Sequence, residues 1–287
     1  MSDRPSLRTT TAIPVERPRR RVGVPLRLQI VAFDLRLRRR MLIGTAVGAA
    51  LYLLLIVVMY PSFRHDTSID AMIRNNPTAA AAFGVNGSIT SPAGWLSANM
   101  YANFGPLLAL LLTIGYGASA IAGQASEGLL SSVATQPYTR GRLVGEKTVA
   151  LLLVAAVVPA AGLPVSLLGP RYELHPDWAA FLEVTLALTL LALDLGALAL
   201  AVGALTGSRG AALGVASGAA AATYLVSSLA PAVHWVHTIR WVSPFYWAVG
   251  DNQLVDGVAW ESWLLLVGVA VALLGAALAV VRRLDVP

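Results

Sequence analysis

Cysteine is absent from this chain of 287 residues, and lysine occurs once, as Lys147. Without thiols, the protein has no disulfide framework, thiolate metal site or cysteine redox centre. The four histidines are scattered and show no metal-ligand spacing. The pattern G-x-x-x-x-G-K-[ST] is also missing, which excludes a P-loop nucleotide site in this sequence. We therefore expect no cofactor in this chain itself.

Charged residues are also scarce, at 13%, whereas 56% of the residues are hydrophobic and the mean hydropathy is +0.68. An ordinary soluble domain carries about 25% charged residues. Six mostly apolar runs are long enough to cross about 30 Å of hydrocarbon as helices. They lie at 41–60, 104–123, 148–168, 178–205, 211–229 and 262–281. The sequence therefore predicts an all-α polytopic membrane protein with six transmembrane helices.

Basic residues are divided unequally between the two sets of loops. Of the 21 Lys and Arg residues, seventeen lie before residue 41, in 124–147, at 209 and at 282–283, and four lie in the alternate loops. The positive-inside rule places the first set, with both termini, in the cytoplasm. The strong preference for arginine is typical of a GC-rich coding sequence. We expect a multi-pass protein of a bacterial plasma membrane.

The first forty residues contain eleven arginines. We expect residues 1–24 to form a disordered basic arm and residues 25–287 to form the membrane domain. From Pro25 to Met41, apolar residues recur every three or four positions, which predicts an amphipathic helix in the membrane interface. A basic cluster beside a membrane helix is attracted to anionic headgroups. Membrane lipids, and not nucleic acid, are therefore its expected partner.

The segment between the last two apolar runs is rich in aromatic residues and contains two prolines. It is too broken to span a membrane and too apolar for a free loop. Non-helical backbone at membrane depth must be buried in protein or line a wet cavity. We therefore predict a re-entrant hairpin on the outer side, near the exit of a pathway. Its candidate pathway or gating residues are Trp241, Phe245 and Tyr246.

One carboxylate, Asp194, lies near the middle of the fourth apolar run. A charge at the centre of a bilayer costs about 2.5 to 3.5 kcal/mol or more, so acids at that depth are candidates for function. Asp194 is accordingly a candidate cavity-lining or gating residue. The alternative is a protonated or hydrogen-bonded side chain that serves packing alone.

The most specific pattern lies between the second and third apolar runs. It reads Glu127-Gly128-Leu129-Leu130, then Pro137-Tyr138-Thr139-Arg140, Arg142 and Lys147. With six helices, a large first outside loop and a broken aromatic segment before the last helix, the chain resembles the permeases of type-2 ABC exporters. Their loop usually reads as acidic residues, Gly-Thr-Leu-Glu, several leucines and Pro-x-Ser-Arg. This chain departs from that pattern at four positions, which are Gln124, Ser126, Leu129 and Ser131.

The resemblance implies that this loop forms a coupling helix in a groove of a separate ATP-binding subunit. Its candidate contact residues are Glu127, Gly128, Leu130, Pro137, Arg140 and Arg142. The resemblance also implies a second permease as partner, either another copy or a homologue, and places ATP and Mg on the partner ATPase. The apolar residues of the segment allow one face of a helix to be buried against a partner. A helix that touches only the membrane surface is the alternative.

The cargo and two other function classes stay open at this point. An apolar pathway with few charges favours a hydrophobic or amphipathic cargo, such as a drug, antibiotic, lipid or peptide. A proton-driven secondary transporter could use Asp194 as its proton carrier. Against that alternative, the two halves of the chain show no internal repeat. A membrane enzyme would need polar groups that converge at one depth, and no such pattern is found.

Overall fold

The fold is known from a computed structural model that describes residues 28–76, 88–122, 140–250 and 252–283. Within those ranges, every regular element is a helix. In chain order they are α1 (Gln29–Phe63), α2 (Thr67–Arg74), α3 (Pro92–Leu96), α4 (Phe104–Ala120), α5 (Arg140–Ser166), α6 (Trp178–Thr206), α7 (Arg209–Leu229), α8 (His234–Ile239), α9 (Gln253–Asp256) and α10 (Trp260–Arg283). A π-helical turn, Ser97–Tyr101, joins α3 to α4.

Six helical segments are long and apolar enough to cross a membrane. They are α1, the α3–α4 pair, α5, α6, α7 and α10, which confirms the predicted all-α fold with six transmembrane helices. Three of them begin well before the predicted runs. In α1 and α5 the helix continues through charged residues that an apolar run excludes, and the α3–α4 pair begins twelve residues early, in a stretch that contains polar residues. The predicted N-terminal amphipathic helix is thus the first part of α1 and not a separate element.

The two ends of the bundle differ in the chain segments that they carry. The start of α1, the C-terminal end of α4, the start of α5 and residues 207–208 lie at one end, called here the N-terminal end. The opposite end carries residues 64–76, 88–91, 167–177, 230–250 and 252–259. Contacts such as Tyr60 with Thr90 and Tyr224 with Asn103 hold that opposite end together. The N-terminal end is the side that the charge distribution assigns to the cytoplasm.

Helix α6 forms the centre of the bundle and packs against α4, α5, α7 and α10. Its closest approach to α4 is made by two glycines. A Cβ atom added at Gly117 would lie 2.1 Å from the carbonyl oxygen of Gly196. Small residues of this kind let helix backbones meet in lipid, where no hydrophobic force drives helices together. α1 instead packs mainly against α5, at the edge of the bundle.

We expect Gly117→Ala to destabilise the protein by about 1–3 kcal/mol, because the added methyl group collides with the backbone of α6. Gly115→Ala is the matched control, since a Cβ at Gly115 meets no atom within 4 Å. Both changes bring the same gain in helix propensity, so the difference in stability between the two variants measures the cost of the collision. Thermal unfolding in detergent is the measurement. Equal stability of the two variants would contradict this account of the packing.

The segment between α7 and α10 is broken into short pieces. α8 is followed by a 3-10 turn (Arg240–Val242), a π-helical turn (Tyr246–Gly250) and α9. Asn252 and Gly257 take positive φ values of 63° and 78°, which end the regular helix on either side of α9. This division into short helical pieces agrees with the prediction that the segment is too broken to span a membrane. The predicted entry of this segment into the membrane as a re-entrant hairpin stays a prediction.

Candidate functional site

A cluster of charged and polar side chains lies between three helices at the N-terminal end. At its centre, the Nζ of Lys147 donates to both carboxylate oxygens of Asp34, at 3.0 and 2.7 Å. The hydroxyl of Tyr116 donates to Oδ2 of Asp34 at 2.6 Å. Lys147 is 1% exposed and Asp34 is 5% exposed. The members of this polar cluster are Asp34 and Arg38 of α1, Tyr116 and Ser119 of α4, and Arg142, Glu146 and Lys147 of α5.

The helical periodicity of α1 places Asp34 in the cluster. Val31, Asp34 and Leu42 are the buried residues in the first half of α1, at spacings that return to one helix face. The arginines at 36, 39 and 40 project from the exposed side. α1 therefore turns one carboxylate inward and leaves most of its basic charge outside. A buried carboxylate is tolerated when a cation and hydrogen bonds compensate it, and Asp34 has both.

Glu146 extends the cluster to the first turn of α1. Its Oε2 accepts a hydrogen bond from the backbone N–H of Ile30 at 2.9 Å, and its Oε1 accepts one from Nε of Arg142 at 2.9 Å. The first N–H groups of a helix lack partners within that helix, and a carboxylate there also interacts favourably with the helix dipole. Glu146 of α5 thus caps α1 from a different helix, because the N-cap residue Leu28 has no side chain that can do so.

The cluster lies on both sides of the loop that the sequence singled out. Tyr116 and Ser119 stand in the last turns of α4 before that loop, and Lys147 stands in α5 after it. Both stems of residues 123–139 are therefore attached to α1 through buried hydrogen bonds. A displacement of the loop relative to α1 would strain these bonds. The arrangement can transmit movement of the loop to the helix bundle.

Of the predicted coupling residues, four fall outside the described residues, namely Glu127, Gly128, Leu130 and Pro137. Arg140 is the first residue of α5. Arg142 follows on the same helix and pairs with Glu146, so it belongs to the polar cluster. The role of all six residues in contacting an ATPase stays a prediction.

Asp194 lies in the middle of α6 and is 1% exposed. Within the described part of the chain, neither of its carboxylate oxygens has a hydrogen-bond partner. Three turns towards the opposite end, Oε2 of Glu183 accepts from the backbone N–H of Val258, just before α10. This contact sets α10 beside α6, and α10 has no titratable residue between Glu261 and Arg282. Asp194 is thus a buried acid for which the described residues provide no hydrogen bond and no ion pair.

The three aromatic candidates lie at the opposite end, away from the polar cluster. Phe245 and Tyr246 are buried, whereas Trp241 is 52% exposed. The guanidinium carbon of Arg240 lies 5.5 Å from the ring centre of Trp241 and 4.9 Å from that of Tyr246. Phe245 packs edge-on against Tyr224 of α7 at 5.5 Å. The contact of Phe245 with Tyr224 attaches the broken segment to α7, whereas the contacts of Arg240 lie within the segment.

Sequence reasoning did not identify the pairing of Asp34 with Lys147 or the part played by Tyr116. A signal was present, because Asp34 is the one acid between Glu16 and Asp66 and Lys147 is the one lysine of the chain. An acid retained among so many arginines indicates a specific partner. The described residues contain no group of three His, Asp or Glu side chains placed to hold a metal ion.

The family comparison agrees with this geometry. A family model described as ABC-2 family transporter protein matches residues 28–286. No curated protein gives a match to the chain. The matched region includes all six membrane-spanning segments and the loop between α4 and α5. This confirms the resemblance found in the sequence: the chain belongs to the ABC-2 transporter family and is a membrane-embedded ABC permease.

Proposed function

We propose that the chain is the permease subunit of an ATP-driven exporter in a bacterial plasma membrane. Two such permeases, identical or homologous, would form the translocation pathway. A separate ATP-binding subunit would dock on residues 124–147 at the cytoplasmic side and would hold ATP and Mg. The distribution of basic residues supports a cytoplasmic position for both termini and for this loop.

The observation that carries the proposal is the attachment of both loop stems to α1 by the polar cluster. An ATPase that moves the loop would act on Tyr116 and Lys147 together, because both bind Asp34. ATP binding can shift the permease between inward and outward states only if the contacts differ between those states. A cluster of buried, directional bonds would supply such a difference, since a small displacement breaks hydrogen bonds inside a low-dielectric region.

The cargo is expected to be hydrophobic or amphipathic. The membrane-spanning helices are apolar and contain few charges, so a pathway between them would be lined mainly by apolar side chains. A drug, an antibiotic, a lipid or a modified peptide fits such a lining better than a small ion or a sugar. The direction of transport is part of the proposal.

A pull-down in mild detergent from native membranes tests the proposal. The tagged protein is purified, its stoichiometric partners are identified by mass spectrometry, and the complex is assayed for ATP hydrolysis. Recovery of a P-loop ATPase supports the pump and shows whether the second permease is a copy or a homologue. A lone protein that transports under a proton gradient would overturn it.

The uncompensated carboxyl of Asp194 favours one second candidate, a proton-driven carrier. The two functions differ in what Asp194→Asn should do, since the amide keeps the shape of the side chain but cannot exchange a proton. For the ATP-driven exporter, we expect ATP-dependent transport into inverted vesicles to stay close to the wild-type rate. Abolition of transport driven by a proton gradient, with no dependence on ATP, would favour the carrier.

A further inference from the structure

α4 is largely buried in the bundle but leaves one face open along its length. Leu107, Leu111, Gly115 and Ser119 follow one another at four-residue spacing, which places them on the same side of the helix. Leu107 is 67% exposed and Leu111 is 72% exposed. A Cβ at Gly115 would meet nothing within 4 Å. This open strip is apolar from Leu107 to Gly115 and ends in a hydroxyl group at the N-terminal end.

A cation stands at the polar end of the open strip. The guanidinium of Arg38 donates to the hydroxyl of Ser119 and lies over the ring of Tyr116, 5.1 Å from the ring centre. The polar cluster contains three cations but two carboxylates. Asp34 is bound by Lys147, and Glu146 is bound by Arg142. Across the described ranges, Arg38 forms no ion pair, so the polar cluster has one positive charge in excess.

We propose that the open strip binds an amphiphile with one anionic head, and that this amphiphile is the cargo. A carboxylate, phosphate or sulfate head would bind the guanidinium of Arg38, with Ser119 as a second hydrogen-bonding group. The apolar body would lie along Gly115, Leu111 and Leu107. From Leu107 to Ser119 the strip covers twelve residue steps, or about 18 Å of helix, which is slightly more than half of the hydrocarbon core of about 30 Å. An extended acyl chain fits that length.

This inference rests on the proposed function, because a cargo is moved whereas a resident lipid is not. Arg38 contacts Tyr116, and Tyr116 donates to Asp34, so a head bound at Arg38 touches the cluster that holds the loop stems. Arrival of the anionic head would neutralise the unmatched cation. Cargo binding and loop position are therefore coupled through one set of side chains.

Two probes with the same tail test the site: a fluorescent long-chain fatty acid and its uncharged methyl ester. Binding to the full-length permease is measured in micelles of an uncharged maltoside detergent. We expect the acid to bind about tenfold more tightly than the ester, as a charge-assisted hydrogen bond implies. Arg38→Gln should remove this preference. Arg39→Gln is the matched control, because Arg39 is exposed and outside the polar cluster, and it should keep the preference.

A second variant covers the case in which Arg38→Gln fails to fold. Gly115→Leu fills the open strip without touching Arg38 and should weaken binding of both probes. Equal binding of acid and ester by the wild type, or unchanged binding by Gly115→Leu, overturns the site. With the ATPase present in liposomes, ATP-dependent movement of the acid supports the cargo assignment. Selective binding without movement overturns it in favour of a resident lipid. Failure of the proposed function would be seen separately, as absence of any ATPase partner.

Discussion

Lys147→Met is expected to lower the free energy of unfolding by about 3–5 kcal/mol, which is the cost of leaving a buried charge without its partner. Methionine fills a similar volume but cannot donate to Asp34. The carboxylate would then keep the hydroxyl of Tyr116 as its remaining partner in a site where it is 5% exposed. Thermal unfolding in detergent, followed by the fraction that stays monodisperse after heating, measures the loss.

The double variant Asp34→Asn/Lys147→Met is the control for this prediction. It removes both charges, so no uncompensated ion is left in the interior. Replacing a buried ion pair by uncharged groups of similar size is often close to neutral, and we expect the double variant to recover most of the lost stability. A double variant as unstable as Lys147→Met would show that the pair acts by its packing and not by its charge.

The membrane fold could be predicted because hydropathy reports it residue by residue. Each span needs a long apolar run, and each of the six runs overlaps one membrane-spanning helical segment of the structure. Four of the runs lie wholly within a helix, and the runs 104–123 and 148–168 extend a few residues past the helix ends at Ala120 and Ser166. The starts of α1 and α5 could not be predicted in the same way. The charged residues there end an apolar run but not a helix, because Asp34 and Lys147 compensate each other inside the bundle.

The polar cluster was beyond sequence reasoning for a related reason. Asp34 and Lys147 are 113 positions apart, and their contact depends on the rotation of α1 and α5 about their axes. Hydropathy contains no information on which faces of two apolar helices meet. In contrast, the loop between α4 and α5 was singled out from its residue order alone, and the ATP-binding subunit proposed as its partner is a separate chain. The predicted docking segment was therefore found from the sequence. That the helices on its two sides, α4 and α5, are both bound to Asp34 of α1 became visible only in the structure.

Charge reversal in that segment should uncouple transport from ATP hydrolysis. We expect Glu127→Arg and Arg140→Glu each to weaken recovery of the ATPase by about 30-fold, as loss of a central contact of about 2 kcal/mol implies. Membrane insertion and yield should stay normal, because both substitutions leave every named member of the polar cluster in place. Arg171→Glu is the matched control: Arg171 is exposed at the opposite end of the bundle. Co-purification of the ATPase and ATP-dependent transport are the two measurements.

The pattern of loss distinguishes a docking contact from a structural one. A variant that disturbs the polar cluster loses thermal stability first and ATPase recovery as a consequence. A variant at a docking contact loses ATPase recovery at unchanged stability of the isolated permease. If Glu127→Arg and Arg140→Glu both recover the ATPase and transport normally, residues 124–147 are not the docking segment. If the two variants lose both ATPase recovery and transport while melting like the wild type, the docking contact lies in this loop. Movement of the loop would then reach the bundle through Asp34, which binds Tyr116 on one side of the loop and Lys147 on the other.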